Sequence, residues 1–521
     1  VLVRLTESHS RSLTGSHAQA IRDHLRGFGK LASETLDELV EACHREGRYG
    51  EIVHYNRTGE RIDEVRYSTE QKLVRKLAYD YGLVNLDFHP DWPHEFTFFH
   101  KMALAYLANF NGESGYTCPL AMTDGLILAL KEIGTEEQKK MYLPLIAHPG
   151  SDSHFMCGQY VTERVGGSNV AANRTVAVQQ ADGSYLLNGE KWFCSNPGDL
   201  WVTTARVGSA IGLFLVPRLR LDGTLNGCRL LRKKDIIGTR GKITVETVYE
   251  DCEAQALGRV GHGLANLLRY VIKTSRLHVA VSALGMARRA ILEARAYVRV
   301  REAYGRRVID YPVVQRALAV MEMRQAALTV LCFWNYELNQ SGDPLSLMLT
   351  PLLKLSSTMH ATRTTHEAML LLGGNGILHD FSILPRLHND SIINETWEGT
   401  HQIIAEHALK AFERPAVQRS LERFREEAVA ESSSRALLLE MSAAARGILQ
   451  GDRSEQMDHR LSIAEFLTDF TALIALEREL RSGPSEYLAM VREGHCELAL
   501  RSPQISGADS VFRKPELSVL L

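Results

Sequence analysis

Glu398 stands in the run Asn394-Glu395-Thr396-Trp397-Glu398-Gly399-Thr400-His401-Gln402, between a large aromatic and a glycine. Glycine gives the backbone freedom to turn and lets another molecule approach closely. A carboxylate in such a corner, partly desolvated, has its pKa raised toward the range of a general base. The same residues also read as the start of a helix, because Glu-Gly-Thr precedes the apolar run Ile403-Ile404-Ala405. On this stretch alone both readings stand.

Three further constellations carry possible chemistry. In Gly158-Gln159-Tyr160-Val161-Thr162-Glu163-Arg164-Val165-Gly166-Gly167-Ser168-Asn169, the Gly-Gly-Ser offers backbone N–H groups and a hydroxyl to an anion; as a bare motif it is equally a turn. In Gly189-Glu190-Lys191-Trp192-Phe193-Cys194-Ser195-Asn196, strand alternation puts Phe193 and Ser195 on one face and Trp192 and Cys194 on the other. An aromatic and a hydroxyl on one face suit a planar cofactor; the plain alternative is a core aromatic beside a solvated serine. Arg301, in Arg301-Glu302-Ala303-Tyr304-Gly305 and shortly before Gln315, suits a bidentate phosphate contact or a solvated helix end.

These residues need elements to hold them. The 521-residue chain exceeds one ordinary core and predicts about two to four domains. At 45% hydrophobic and 23% charged it has the composition of a soluble globular protein, and a net charge of −2 gives no global attraction to nucleic acid or an anionic membrane. No segment reaches the roughly 18 uninterrupted apolar residues of a membrane span. The eight cysteines are scattered without a C-x-x-C pair, which suits buried thiols in a reducing compartment and gives no metal site. Residues 1–30 are expected as an N-terminal arm, a trimmed organellar presequence being the alternative for its first part.

Helical spacing of apolar residues marks about 17 to 150, from Ile21-Arg22-Asp23-His24-Leu25 onward, with 31–150 taken as the N-terminal domain; Arg48 to Tyr67 is irregular around the turn Asn56-Arg57-Thr58-Gly59, and His148-Pro149-Gly150 closes the region. Gly134-Thr135-Glu136 reads as one helix ending and another starting. Between 151 and 262 short strand-like runs (Tyr185–Leu187, Trp201–Thr204, Gly212–Val216, Thr244–Tyr249) alternate with Asp182-Gly183, Asn188-Gly189, Asp222-Gly223 and Asn226-Gly227, all read as hairpin turns of an antiparallel β domain. From 263 to 412 the chain is helical again, over His278–Val300, Val313–Asn339, Pro351–Leu372 (stopped by Gly373-Gly374-Asn375-Gly376) and His401–Phe412. Residues 413–521 form a helical extension.

The order V-T-E-x-x-x-G-S, G-x-K-x-aromatic-x-S-N, R-x-x-Y-G, L-G-G-N-G and aromatic-E-G-T resembles that of the acyl-CoA dehydrogenases. Here it is carried by Val161-Thr162-Glu163, Gly167-Ser168, Lys191, Phe193, Ser195-Asn196, Arg301, Tyr304-Gly305, Leu372 to Gly376 and Trp397-Glu398-Gly399-Thr400. Arg48 to Tyr67 and Lys191 to Ser195 look most like the alkylation-response, AidB-like branch, which also carries a helical C-terminal domain. The resemblance implies a mainly α fold with an inserted β domain, and FAD as cofactor.

By that resemblance Tyr160, Val161 and Thr162 lie at the flavin ring edge, Ser195 near its reactive nitrogen, and Phe193 against the ring. Gly167 and Ser168 lie near the pyrophosphate or the CoA part of a thioester. Arg301, Tyr304, Gln315, Gly373 and Gly374 hold the ADP half of FAD bound mainly in a neighbouring subunit, and Trp397, Thr400 and Gln402 also touch FAD. Glu398 matches the catalytic base, which removes the α-proton of a thioester while the β-hydrogen leaves as hydride; family members stabilise the carbonyl oxygen with the Glu backbone N–H and a ribityl hydroxyl. Arg276 matches an arginine near the active site that binds substrate or makes an ion pair. Against the family pattern, Asn169 stands for Asp, Leu370 for Gln, Asn389-Asp390 for Arg-Asp, and Ala303 for a hydroxyl residue.

The activity so implied is α,β-dehydrogenation of an acyl-CoA, with an electron-transfer flavoprotein as acceptor and a homo-oligomer, a dimer of dimers, as assembly. The alternatives are an AidB-like flavoprotein with an alkylation-response or lipid-sensing role and weak dehydrogenase activity, and a flavin oxidase on a non-CoA substrate. From Ala411 onward 14 Lys and Arg face 18 Asp and Glu, so strong duplex binding is not expected of the extension. The expected compartment is cytoplasmic, with the mitochondrial matrix as alternative.

Overall fold

The structure is a computed structural model that describes residues 1–501 except 46, 48, 149–154 and 430–433. Arg48, the Pro149-Gly150 punctuation and the expected boundary at 150/151 therefore lie outside the described residues. The chain forms two compact units. One comprises Leu2–Leu318 and Ser357–Thr400; the other comprises Ala319–Ser356 and His401–Leu521. The described residues past 413 thus share a unit with the C-terminal part of the long helix Pro312–Ser341 and the N-terminal part of the long helix Ser346–Leu372.

In the first unit, residues 1–30 are not an arm. They form helices Leu2–Ser10 and Gly15–Leu31, and Ile21, Leu25 and Phe28, spaced along one helix face, are buried. Thr14 caps the second helix by accepting from His17 N. The stretch read as irregular is a β-hairpin, β1 (Glu51–Tyr55) with β2 (Arg61–Arg66). Its turn is made by the Asn56 side chain, which accepts from the N–H groups of Thr58 and Glu60, and by Gly59 at φ +81°. The helix Glu136–Ala147 opens with a reciprocal capping box between Thr135 and Gln138.

The β domain contains β3 (Cys157–Tyr160), β4 (Val176–Gln179), β5 (Tyr185–Ser195), β6 (Leu200–Val207), β7 (Ala210–Pro217), β8 (Cys228–Lys233) and β9 (Thr244–Ala256). It is not purely antiparallel, since β3 and β4 both pair with β6 in parallel. Of the four expected turns, Asp182-Gly183 joins β4 to β5 and Asp222-Gly223 lies between β7 and β8. Asn188-Gly189 instead lies inside β5 at a register shift, with Gly189 at φ +148° and no room for a Cβ against Thr175. Asn226 is a buried brace: its side chain bonds the carbonyls of Pro217 and Glu253 and the N–H groups of Gly227 and Glu253. Tyr160, Leu187, Cys194, Trp201, Phe214 and Tyr249 are among the residues filling the core of the sheet.

The helix Lys273–Val300 follows a π-helical turn, Leu267–Ile272. In the second unit, the helix expected from Pro351 begins at Ser346, preceded by Asp343, whose side chain accepts from Leu345 N. Helices His401–Phe412, Pro415–Val429, Arg435–Gln450, Arg460–Ser482 and Glu486–Arg501 belong to it. Among the described residues, Pro312–Ser341 alone is long and apolar enough to cross a membrane; 67% of its apolar window is buried inside the protein.

Candidate active site

The helix Leu384–Thr396 ends at Trp397, whose N–H still reaches Ile393 O. The next residue, Glu398, has φ +58°, and Gly399 has φ +109°. A left-handed glutamate costs roughly 1 kcal/mol or more, so the surroundings must hold it. They do so from two elements. Gln159 Nε2 on β3 donates to Glu398 Oε1 at 2.5 Å, and Ser275 Oγ donates to the same oxygen at 2.7 Å. Arg276 Nε donates to the Glu398 carbonyl at 3.2 Å. The side chain is therefore held at a meeting of strand and helix.

The helix that delivers Glu398 is pinned by Asp390, which is 2% exposed. Its carboxylate accepts from Glu113 N at 3.0 Å and Thr239 N at 2.5 Å. Gly238 has no room for a Cβ, which would lie 2.2 Å from Asn389 O. Asp390, the residue of the Asn389-Asp390 pair that keeps the family pattern, thus ties N-terminal helices, β domain and C-terminal helices together. Burial raises the Asp390 carboxyl, and it pushes Glu113 up to about 7 against the pull of Lys242.

Strand β5 does not alternate as expected. Its register against β9 shifts between Lys191 and Cys194, so both of these are buried, while Phe193 is 48% exposed and Trp192 half-buried. Lys191 Nζ pairs with Glu163 at 2.7 Å, fully inside the domain. Glu163 also accepts from the N–H groups of Arg174 and Thr175, so this pair is structural and locks the Val161-Thr162-Glu163 turn onto β5. Lys234 Nζ sits 3.1 Å from the centre of the Trp192 ring.

Ser195 Oγ lies 3.1 Å from Thr244 Oγ1, and Lys242 Nζ donates to Thr244 Oγ1 at 2.9 Å. The same ammonium lies 5.5 Å from the centre of the Trp397 ring. Lys242 thereby links the strand that carries Ser195 to the corner that carries Glu398. It also lines, with Tyr49, Lys233 and Arg240, a cavity of about 250 Å³.

Arg301, Tyr304, Gln315, Gly373 and Gly374 are brought to one end of the C-terminal helices, and all are exposed. Tyr297 organises them: its carbonyl accepts from Arg301 N, and its hydroxyl accepts from Asn375 Nδ2 at 3.1 Å. Tyr304, at φ +50°, tips a two-residue hairpin and is 100% exposed.

Three family models match the chain in order: the adaptive response protein AidB N-terminal domain over residues 5–153, the acyl-CoA dehydrogenase middle domain over 158–252, and the acyl-CoA dehydrogenase C-terminal domain over 261–412. The Mycobacterium tuberculosis protein named "Probable acyl-CoA dehydrogenase fadE25" is 30% identical over 292 residues, covering 54% of this chain and 71% of that one. The chain belongs to the acyl-CoA dehydrogenase family. Caenorhabditis elegans ACDH-11, solved in complex with C11-CoA, superposes with a TM-score of 0.86 at 22% identity, over 99% of this chain and 93% of that one. A Bacillus anthracis acyl-CoA dehydrogenase solved with FAD superposes with a TM-score of 0.76 at 20% identity, over 93% and 86%.

Within this family frame, the residues expected at the flavin have the following surroundings. Tyr160 is 0% exposed, stacks on Trp201 and donates from its hydroxyl to Asn196 O; its side chain is part of the sheet core. Val161 and Thr162 are half-buried, and each lends its carbonyl to the fold, to Asn173 Nδ2 and Trp192 N respectively. Gly167 is required by Thr162, whose Oγ1 a Cβ would meet at 2.6 Å; Ser168 is exposed. Thr400 is exposed in the first unit. Gln402 belongs to the second, where its side chain accepts from Arg460 Nε at 2.6 Å. Gln159, Ser275 and Lys242 are functional candidates that sequence reasoning missed. The first two lay beside recognised motifs, but nothing in their spacing marked them as partners of Glu398.

Proposed function

We propose that this protein is an FAD-dependent acyl-CoA dehydrogenase in which Glu398 removes the α-proton of an acyl-CoA thioester. The observation that carries the proposal is the Glu398 corner, a carboxylate fixed in a left-handed backbone by Gln159, Ser275 and Arg276. The residues around it fit FAD. Among the described residues, Trp397 Nε1 is buried without a hydrogen-bond partner and the Ser195 side chain meets no hydrogen-bond partner but Thr244, and Phe193 presents a half-exposed ring. Phe193, Ser195, Val161 and Thr162 would hold the ring of FAD; Arg301, Gln315 and the Gly373-Gly374 turn would hold the ADP half of the FAD of a second copy. Bound FAD supplies the acceptor for the hydride that leaves the β-carbon.

The chain's own part is positional. Gln159 and Ser275 fix the carboxylate, so it meets the α-carbon without reorienting. The Glu398 N–H is the donor for the thioester oxygen as charge develops there. Anaerobic addition of acyl-CoAs of increasing chain length to the FAD-loaded protein tests the reading. Bleaching of the flavin by one length class is the expected result; no bleaching by any length overturns it.

One observation favours the AidB-like alternative, a lipid-sensing flavoprotein with weak dehydrogenase activity. Gln159 and Ser275 both hold a single Glu398 oxygen, so the carboxylate is engaged by the protein before any substrate arrives. Slow bleaching, with acyl-CoA binding tight and turnover absent, would select that alternative. All eight cysteines are free, which fits our placement of the protein in the cytoplasm; fractionation of cells tests it.

A further inference from the structure

Lys242 has no place in the reaction outlined above, yet its position is costly. It is 3% exposed, and among the described residues no carboxylate lies within ion-pair distance of its Nζ. Its hydrogen-bond partner is Thr244 Oγ1, and its charge lies over the Trp397 ring. Glu113 and Asp390 act on it only at longer range. A buried ammonium with so little compensation is expensive for folding alone. It makes sense where something else in the site gains from a nearby positive charge.

The hydrogen-bond chain shows what that is. An ammonium only donates, so Thr244 Oγ1 accepts from Lys242. The Thr244 hydroxyl proton is therefore free to go to Ser195 Oγ, 3.1 Å away. Ser195 then accepts from Thr244 and keeps its own proton, with no other hydrogen-bond acceptor among the described residues. In the opposite direction Ser195 would spend its proton on Thr244 and leave the Thr244 proton without an acceptor. The cation thus selects the direction in which a hydroxyl donor at Ser195 is presented, and polarises it through the chain.

We propose that Lys242, acting through Thr244, orients the Ser195 hydroxyl as a hydrogen-bond donor to the flavin and thereby raises the flavin's reduction potential. This rests on the reading that FAD lies against Ser195. Lys242 is a positioning residue: it acts on the cofactor through two hydroxyls, and its positive end favours the electron-rich, reduced ring. A family member with a small neutral residue there would lack this term.

The test is the reduction potential of the bound flavin, measured by equilibration with redox dyes, beside the FAD content of each protein. Lys242→Met and Thr244→Val should each shift the two-electron reduction equilibrium about tenfold toward the oxidised form, about 30 mV more negative. The double variant should shift no further than the larger single one, and Lys242→Arg should restore the wild-type value. Unchanged potentials in both single variants overturn the proposal. A shift in Lys242→Met with none in Thr244→Val overturns the relay in favour of a through-space charge. Should Lys242→Met fail to fold, Thr244→Val still decides, because it keeps the charge and cuts the chain. A wild-type protein that takes up no FAD would instead overturn the functional reading beneath it, and FAD content reports that separately.

Discussion

The Glu398 corner and the Arg301–Gly374 end of the same unit are built to opposite plans. At the corner, donors from β3 and from the helix Lys273–Val300 converge on one side chain. At the other end Arg301, Gln315, Gly373 and Gly374 all face solvent, and so do Tyr304, Val300 at 77% and Ile377 at 67%. On the proposed function, one chain would complete its base by itself and leave its cofactor grip unfinished. The proposal then makes pre-organisation of the proton transfer a property of the protomer and tight FAD retention a property of an assembly. An exposed cluster of this kind marks an interaction surface.

Four experiments break or sharpen that contrast. Glu398→Gln removes the base while keeping the shape; acyl-CoA-dependent flavin reduction should fall by about 10³-fold or more with FAD still bound, measured by stopped flow. Arg301→Ala strikes the exposed end and should weaken FAD retention by about 10- to 100-fold, the worth of one charge-assisted phosphate contact, read by dialysis, with the base untouched. If instead Arg301→Ala leaves retention intact while Glu398→Gln loses FAD, the division of labour is reversed. Gln159→Leu takes one donor from the carboxylate. The base should be less well placed, so kcat should fall about tenfold in a steady-state assay with FAD content unchanged.

The smallest effect is on stability. The Glu113 carboxyl is raised by burial from its ordinary range to about 7. The folded chain then binds a proton there that the unfolded chain has already lost, so stability falls as pH rises from the ordinary carboxyl range to about 7 and levels off above it. Glu113→Gln should flatten that fall, seen in urea midpoints at about pH 5 and about pH 8. It should not abolish the fall, because Asp199, raised to about 6, titrates with the same sign.

The helix–β–helix order, the Trp397-Glu398-Gly399 corner and the Gly373–Gly376 stop were legible because each is a local pattern: a period, a glycine, a hydrophobic run. What escaped notice was non-local. Gln159 meets Glu398 across 239 positions of sequence, and no spacing rule reaches that far. The β5 bulge defeated strict alternation, which is why Cys194 went into the core with Lys191 while Trp192 turned to Lys234. Asn188-Gly189 looked like a hairpin because the dipeptide suits a left-handed turn; the same freedom serves a bulge against Thr175. Lys242 carried no signal, since a lone lysine after glycine reads as solvated.

The Asp390 clamp also bears on how the molecule comes into being. Its two backbone partners lie 277 and 151 positions away in the chain, so the clamp closes only after most of the first unit has been made and has met. Closure of such long loops is paid before the contacts return anything, and it comes late. A nascent chain would own a finished β sheet, with Ser195 in place, before it owns a base. On the proposed function, the site's competence would then wait on the Asp390 clamp, and a slip in the helix Leu384–Thr396 would take it away.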